Sequence, residues 1–238
     1  MNDIRVRGMT EDDWPEVSEF IATEWETNHP VIDKEFFFWQ HKGFGAGGAL
    51  SATPLAFSGG QLVGMRGVIP GEYQVPRGRG GYQYVRGGAF AMWLVAESSR
   101  GIGVGGRLLD YCQARLSVMT ALGSNENTSV PIYLKNGFRR LSGLHHWYAI
   151  LSEPGQQLIF NSSSHEPVAR PLPFPARVAL DPINDSNLLA GFWRSFSQRH
   201  PTFALHRTNE FWSWRYLEHP VFNYEIVANA EVNMVAVY

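Results

Sequence analysis

Along the chain, apolar residues fall into helical and strand rhythms that divide it into recognisable elements. Val17, Phe20, Ile21 and Trp25 put one apolar stripe on a helix. Its start is marked by Thr10 as N-cap, by Asp13 three residues on as a loose capping box, and by Pro15 in the first turn. A second helix is predicted over Asp33 to His41, carrying Phe36, Phe37 and Trp39. Leu108, Leu109, Cys112 and Leu116 follow the i, i+1, i+4, i+8 spacing of a third, and Leu188 to Phe196 reads as another. Ile4 to Arg7 alternates apolar and charged residues, as a half-buried strand does. Pro54 to Phe57 and Gln61 to Ile69 form a hairpin across Ser58-Gly59-Gly60. Gly71 to Gly81 contains Arg77-Gly78-Arg79-Gly80-Gly81, which reads as a solvated turn. Tyr82 to Ala96 holds the central strand, Leu116 to Leu122 enters the next, and Phe138 to Leu151 is expected to be one strand or two.

After Leu151 the pattern breaks. Asn161 to Pro175 is rich in Ser and Pro, which suits a linker. The expected organisation is a domain over residues 1–155, a linker over 156–175, and a further unit over 176–238. That last unit resembles the beginning of the chain. A helix, then His29-Pro30, then Glu35-Phe36-Phe37-Phe38-Trp39 near the N-terminus is echoed by a helix, then His200-Pro201, then Glu210-Phe211-Trp212-Ser213-Trp214. The ordered set suggests a duplicated unit. Its second copy is partial, with two strand-like runs over Asn223 to Tyr238 and no glycine loop.

Composition narrows the function classes. The chain is 44% hydrophobic with a net charge of −2 and no block of like charges, so neither nucleic acid nor an anionic membrane is an expected partner. No apolar run reaches the length of a membrane span. The single cysteine, Cys112, falls on an apolar helix face, which excludes a disulfide framework and favours a reducing, cytoplasmic setting. Adjacent His145 and His146 on a strand would point to opposite faces, so no metal site is expected from them. The run Val232 to Tyr238 reads as an interior strand. Its edge would be open to a second copy, and the sequence thus allows a homodimer.

The chemistry is concentrated between the central strand and the helix after it. There, Arg100-Gly101-Ile102-Gly103-Val104-Gly105-Gly106 joins an apolar strand to an amphipathic helix. Glycines let backbone N–H groups approach an anion, and a helix N-terminus adds positive partial charge, so the expected ligand is a phosphate or pyrophosphate. A P-loop would need Gly-Lys-Ser/Thr, whereas Gly106 is followed by Arg107 and Leu108. A dinucleotide fingerprint can be laid on Gly101, Gly103 and Gly106, but no acidic residue ending a second strand follows about 20 residues later.

The third pattern, Arg/Gln-x-x-Gly-x-Gly/Ala, matches Arg100 to Gly105, and here the chain resembles the GCN5-related N-acetyltransferase (GNAT) superfamily. A second motif follows in the family's order: Asn127 leads a short helix that ends in Tyr133-Leu134-Lys135-Asn136-Gly137-Phe138. The resemblance implies an α/β fold with a central mixed sheet flanked by helices, and an acetyl-coenzyme A-dependent N-acyl transfer. It also implies two central strands that splay apart, exposing backbone groups to the pantetheine arm.

Site residues follow from the same resemblance. Arg100, Gly101, Gly103, Val104, Gly105 and Gly106 would hold the pyrophosphate, with Arg107 a further candidate. Leu94 and Val95 would pair through backbone with the acetyl and pantetheine end, and Asn127 would cap the motif helix, contact the cofactor, or both. Tyr133 would be the general acid for the coenzyme A thiolate; packing beneath the Gly137-Phe138 turn is its structural alternative. The general base is open among Glu97, Glu72, Glu126, His145 and His146, with Glu97, just past the central strand, first. The implied acceptor is the primary amine of a small molecule, with amino sugars one candidate class. Alternative readings are transfer to a protein or peptide amine, and an acyl-coenzyme A-binding module with little turnover.

Overall fold

Seventeen-residue and fifteen-residue strands joined as a long hairpin form the spine of the sheet. The computed structural model describes residues 3–25, 29–45, 49–78, 81–122, 124–141, 177–180, 184–229 and 235–237. They group into two compact units, Met1–Gly123 with Val178–Tyr238, and Ser124–Arg177. In the first unit the chain runs β1 (Ile4–Gly8), α1 (Trp14–Glu24), α2 (Lys34–Lys42), β2 (Pro54–Ser58), β3 (Gln61–Arg77), β4 (Gly81–Val95), α3 (Val104–Gln113) and β5 (Val118–Ala121). The strands lie in the order β1-β2-β3-β4-β5. Every neighbour pair is antiparallel except β4 and β5, which run parallel. The sheet is mixed, as the resemblance implies.

Helix starts follow the local chemistry. The Thr10 N–H donates to the Asp13 carboxylate at 2.7 Å, and the Asp33 carboxylate accepts the Phe36 N–H at 2.8 Å ahead of α2. Helices cover both faces of the sheet. Val17, Phe20 and Ile21 of α1 and Phe37 and Phe38 of α2 join Leu55, Met65 and Met92 in one core. Val104 and Leu108 of α3 join Ile4, Ala56 and Val63 in another. β2, β3 and β4 contribute to both cores because successive side chains point to opposite faces.

The strand expected to end at Ile69 is longer. β3 continues through Arg77 and pairs with β4 as far as Arg77↔Gly81. A later segment, β7 (Ala204–Leu205), pairs with β3 at Tyr73 and Gln74, extending the edge where β2 has already ended. In the second unit α4 (Ser129–Lys135) follows Asn125, whose side chain accepts the N–H groups of Asn127 and Thr128. Asn127 is therefore not the N-cap of α4, which falls at Thr128 without a side-chain cap. Asn125 closes the turn before the helix, and its backbone carbonyl accepts the Ser129 and Val130 N–H groups. Residues 138–141 are not strand, and the rest of the strand expected to Leu151 lies outside the described residues, as does the linker at 156–175.

The remaining elements are β6 (Arg177–Leu180), α5 (Ser186–Arg199), α6 (Asn209–Trp212) with a π-helical turn over Ser213–Leu217, β8 (Ile226–Asn229) and β9 (Val235–Val237). Residues 178–238 belong to the same unit as 1–123. With β7 set between its helices, this segment runs strand, helix, helix, strand, strand, as the N-terminus does. Its sheet order β6-β8-β9 matches β1-β2-β3. The two repeated aromatic segments meet each other. Trp39 and Trp214 stack at 4.9 Å with planes 19° apart. Each indole N–H donates to the other's backbone carbonyl, at 2.8 and 2.9 Å. Among the described residues no helix is long and apolar enough to cross a membrane.

Candidate functional site

β4 and β5 keep register for four pairs, Gly87↔Val118 to Phe90↔Ala121, and then β5 ends. β4 runs on to Val95 with β3 on one side. Just past Phe90 its ladder slips, with Ala91 and Met92 set against Gly67 between the pairs Val68↔Phe90 and Arg66↔Trp93. A bulge of this kind bends a strand and re-aims its backbone. Strand and partner part where the bulge lies, which leaves one edge of 91–95 without a ladder among the described residues.

Which groups face that edge follows from antiparallel alternation. The Ala96 N–H donates to the Val63 carbonyl at 2.9 Å, so the backbone of Leu94, two residues before, also faces β3. The backbones of Trp93 and Val95 face away from β3, toward the open edge. Of the two residues expected to pair with the acetyl and pantetheine end, Val95 thus presents its backbone groups and Leu94 does not. Trp93 presents the other backbone groups at that edge.

After Val95 a 3-10 turn over Glu97–Ser99 leads to the glycine segment and α3. Gly103 is the N-cap of α3 at φ +92°, a left-handed conformation that costs an L side chain about 1–2 kcal/mol. Gly105 lies against the Trp93 indole, where an added Cβ would meet the ring at 3.2 Å. Over Gly101, Gly103 and Gly106 an added Cβ would meet nothing within 4 Å. The turn is therefore an open cradle. Helix geometry leaves the Val104, Gly105 and Gly106 N–H groups without intrahelical partners, the first available being Arg107 N–H to Gly103 C=O at 3.2 Å. N–H groups converging at an open helix N-terminus fit a pyrophosphate.

The two arginines are otherwise engaged. Arg100 donates from Nε to the Val95 carbonyl at 3.2 Å and lies 3.7 Å from the Glu24 carboxylate. Arg107 donates to the Ile4 carbonyl at 3.1 Å. Glu24, at the end of α1, also accepts the Glu97 N–H at 3.2 Å, so it fastens the turn from below. Nothing in its sequence neighbourhood marks Glu24, because its partners lie 73 residues or more ahead. Arg66 was missed as well. It is buried on β3 with its guanidinium 4.0 Å from the Phe90 ring and 4.9 Å from Trp93, behind the bulge.

The proposed acids and bases sit in different surroundings. Glu97 is exposed on the turn after β4. Glu72 bonds His206 at 2.9 Å, and Glu126 pairs with Arg140 at 2.5 Å. His145 and His146 lie outside the described residues. Asn127 and Tyr133 belong to the second unit. Tyr133 is buried with its ring 4.9 Å from Phe138. The Phe138 N–H donates to the Tyr133 carbonyl, the Gly137 N–H donates to the Leu134 carbonyl, and Gly137 has φ +83°. Those two bonds and the ring contact make a Schellman motif. The spacing Tyr-x-x-x-Gly-Phe thus has a complete helix-capping explanation.

Burial pushes the Cys112 thiol up to about 12, so it is neutral and unsuited to attack. Among the described residues no group of three or more His, Cys, Asp or Glu is placed to hold a metal ion.

No protein-family model matches this sequence, and no curated protein matches it. Among solved structures the chain is similar to a Trypanosoma brucei acetyltransferase, at 22% identity over 61% of this chain and 99% of that one, with a TM-score of 0.43. It is also similar to the aminoglycoside N-acetyltransferase AAC(6')-Iy in complex with CoA (17%, 62% and 95%, 0.43). A third is Arabidopsis thaliana Naa50 in complex with a bisubstrate analogue (16%, 63% and 92%, 0.41).

Proposed function

We propose that this chain is an N-acetyltransferase that passes an acetyl group from acetyl-coenzyme A to the primary amine of a small molecule, by direct attack in a ternary complex. The parting of β4 from β5 after Phe90, beside the glycine turn that starts α3, carries this reading. An open strand edge offers N–H and C=O groups to an amide-bearing arm, and the helix N-terminus takes the phosphates at the arm's end. In this chain the edge groups belong to Trp93 and Val95, and the phosphate donors to Val104, Gly105 and Gly106. Arg100 would have to release the Val95 carbonyl for that edge to be used fully.

Acetyl-coenzyme A supplies the acyl group as a thioester. The chain's own residues must admit a neutral amine and hand a proton to the departing sulfur. The resemblance gives the proton to Tyr133, because a phenol's ordinary pKa of about 10 is close to that of a thiol. The buried, neutral Cys112 supports transfer without a covalent intermediate. The repeated element order and the reciprocal Trp39–Trp214 contact support reading residues 176–238 as a partial second copy of the same design.

A second reading, an acyl-coenzyme A-binding module with little turnover, has one observation in its favour. Tyr133 is already used as the apolar partner of a helix cap, a role that needs no hydroxyl. Tyr133→Phe separates the two, since it keeps the ring on Phe138. Acetylation of a panel of amines, amino sugars first, should fall by roughly 100-fold or more while acetyl-coenzyme A binding is unchanged. If the wild type acetylates no amine yet binds acetyl-coenzyme A, the module reading stands instead.

A further inference from the structure

Far from the glycine turn, β3 and β4 form one wall of a cavity of about 470 Å³, closed by α5 and the segment leading into α6. From Gly64, which pairs with Val95, to Gln74 in this wall, β3 spans roughly 30 Å at its usual rise. The cavity is thus separate from the proposed cofactor edge. Its wall is built from buried hydrogen bonds. Gln74 is buried; its amide donates to Ser197 Oγ at 3.1 Å and to the Thr202 carbonyl at 3.2 Å, and its carbonyl accepts the Trp193 indole N–H at 3.0 Å. Tyr82 donates to the Ser197 carbonyl at 2.7 Å and accepts the Thr202 N–H at 3.3 Å. Trp193 and Tyr82 are therefore fixed aromatic surfaces rather than adaptable ones.

Arg207 is the unusual member. Its guanidinium lies 4.2 Å over the Trp193 ring, half-buried, and burial pulls it below its ordinary range. Among the described residues it has ring contacts but neither a carboxylate partner nor a hydrogen-bond acceptor. The acidic groups nearby are committed elsewhere, with Glu72 on His206 and Glu210 on the Thr208 hydroxyl. Arg194, exposed in the same lining, has no ion pair among the described residues. Asn209 adds a buried side-chain oxygen without a partner. A guanidinium stacked on an indole keeps its in-plane N–H donors free, in the fork geometry that matches a carboxylate or phosphate.

We propose that this cavity is a binding site for a small organic anion, whose carboxylate or phosphate is taken by Arg207, held in place by Trp193, and whose apolar or planar body lies against Tyr82. A donor on the ligand would satisfy the Asn209 oxygen. The role assigned is binding alone, with no reaction on the ligand.

Calorimetric titration of the full chain with benzoate, phenyl phosphate and the neutral benzyl alcohol tests the assignment. At least one of the two anions should bind with low-millimolar affinity or better, the alcohol should not, and the preferred anion tells carboxylate from phosphate. Arg207→Gln should weaken that binding about tenfold or more. Arg207→Lys, which keeps the charge and loses the fork, should weaken it less and guards against a glutamine variant that fails to fold. The site is refuted if neither anion binds the wild type, if benzyl alcohol binds as well as they do, or if folded Arg207 variants bind undiminished.

Discussion

At Asp13 one carboxylate serves two elements at once. It takes both guanidinium nitrogens of Arg7 from β1, at 2.6 and 2.7 Å, and the N–H and hydroxyl of Thr10 at the approach to α1. The Arg7 hydrogen bond is the largest cause holding Asp13 down from its ordinary 3.8 to about 2. A carboxylate depressed on folding adds stability above its unfolded pKa, and that stability is lost as pH falls through the folded value. Asp13→Asn should therefore cost about 1–2 kcal/mol at pH 7, discounted for the half-exposed arginine. In denaturant titrations the gap from wild type should close between pH 4 and pH 2; a gap independent of pH would contradict this account. The Thr10–Asp13 spacing was legible in the sequence because a cap is local. Its arginine was not, because β1 and the cap meet only after the chain folds. Tyr133 shows the opposite case. Its motif was legible, but the same spacing also satisfies a Schellman cap, so spacing cannot separate a proton donor from a packing ring.

Between elements, the aromatic repeat gives the sharpest test. α2 and the turn after α6 each present a tryptophan whose ring stacks on the other and whose N–H bonds the other's carbonyl. Trp39→Ala and Trp214→Ala should each cost about 3–5 kcal/mol. A double-mutant cycle should show coupling of roughly 1–3 kcal/mol, whereas additive losses would mean that the two helices are held independently. The repeated Glu-Phe-x-x-Trp segments were visible in the sequence; that they pack on each other was not, since a repeat says nothing about where its copies dock. The second half of β3 was misread for a related reason. Pro70, Gly71, Pro76 and Gly78 punctuate it as a turn would. Yet Pro70 falls between the stretch of β3 paired to β2 and the stretch paired to β7, where one missing N–H breaks no ladder on that edge.

Across the whole molecule, the helix faces and the glycine turn were legible because they are written in consecutive residues, whereas the mixed sheet was expected through resemblance. The open edge over 91–95 was known only through resemblance, and the cavity around Arg207 not at all. Both arise from residues distant in sequence: β4 with β5, and β3 with α5. The central claim is that the open edge and the α3 N-terminus hold acetyl-coenzyme A, and Gly106→Glu tests it most directly. An added Cβ at Gly106 meets nothing within 4 Å. A glutamate in the first helical turn should stabilise α3 by about 0.5–1 kcal/mol, through the helix dipole and the loss of glycine. The same carboxylate would repel a pyrophosphate. Calorimetric titration with acetyl-coenzyme A should then show binding to the wild type, and binding weakened at least about tenfold in a variant whose melting temperature is equal or higher. A wild type that does not bind, or a Gly106→Glu variant that binds as well, would contradict the account.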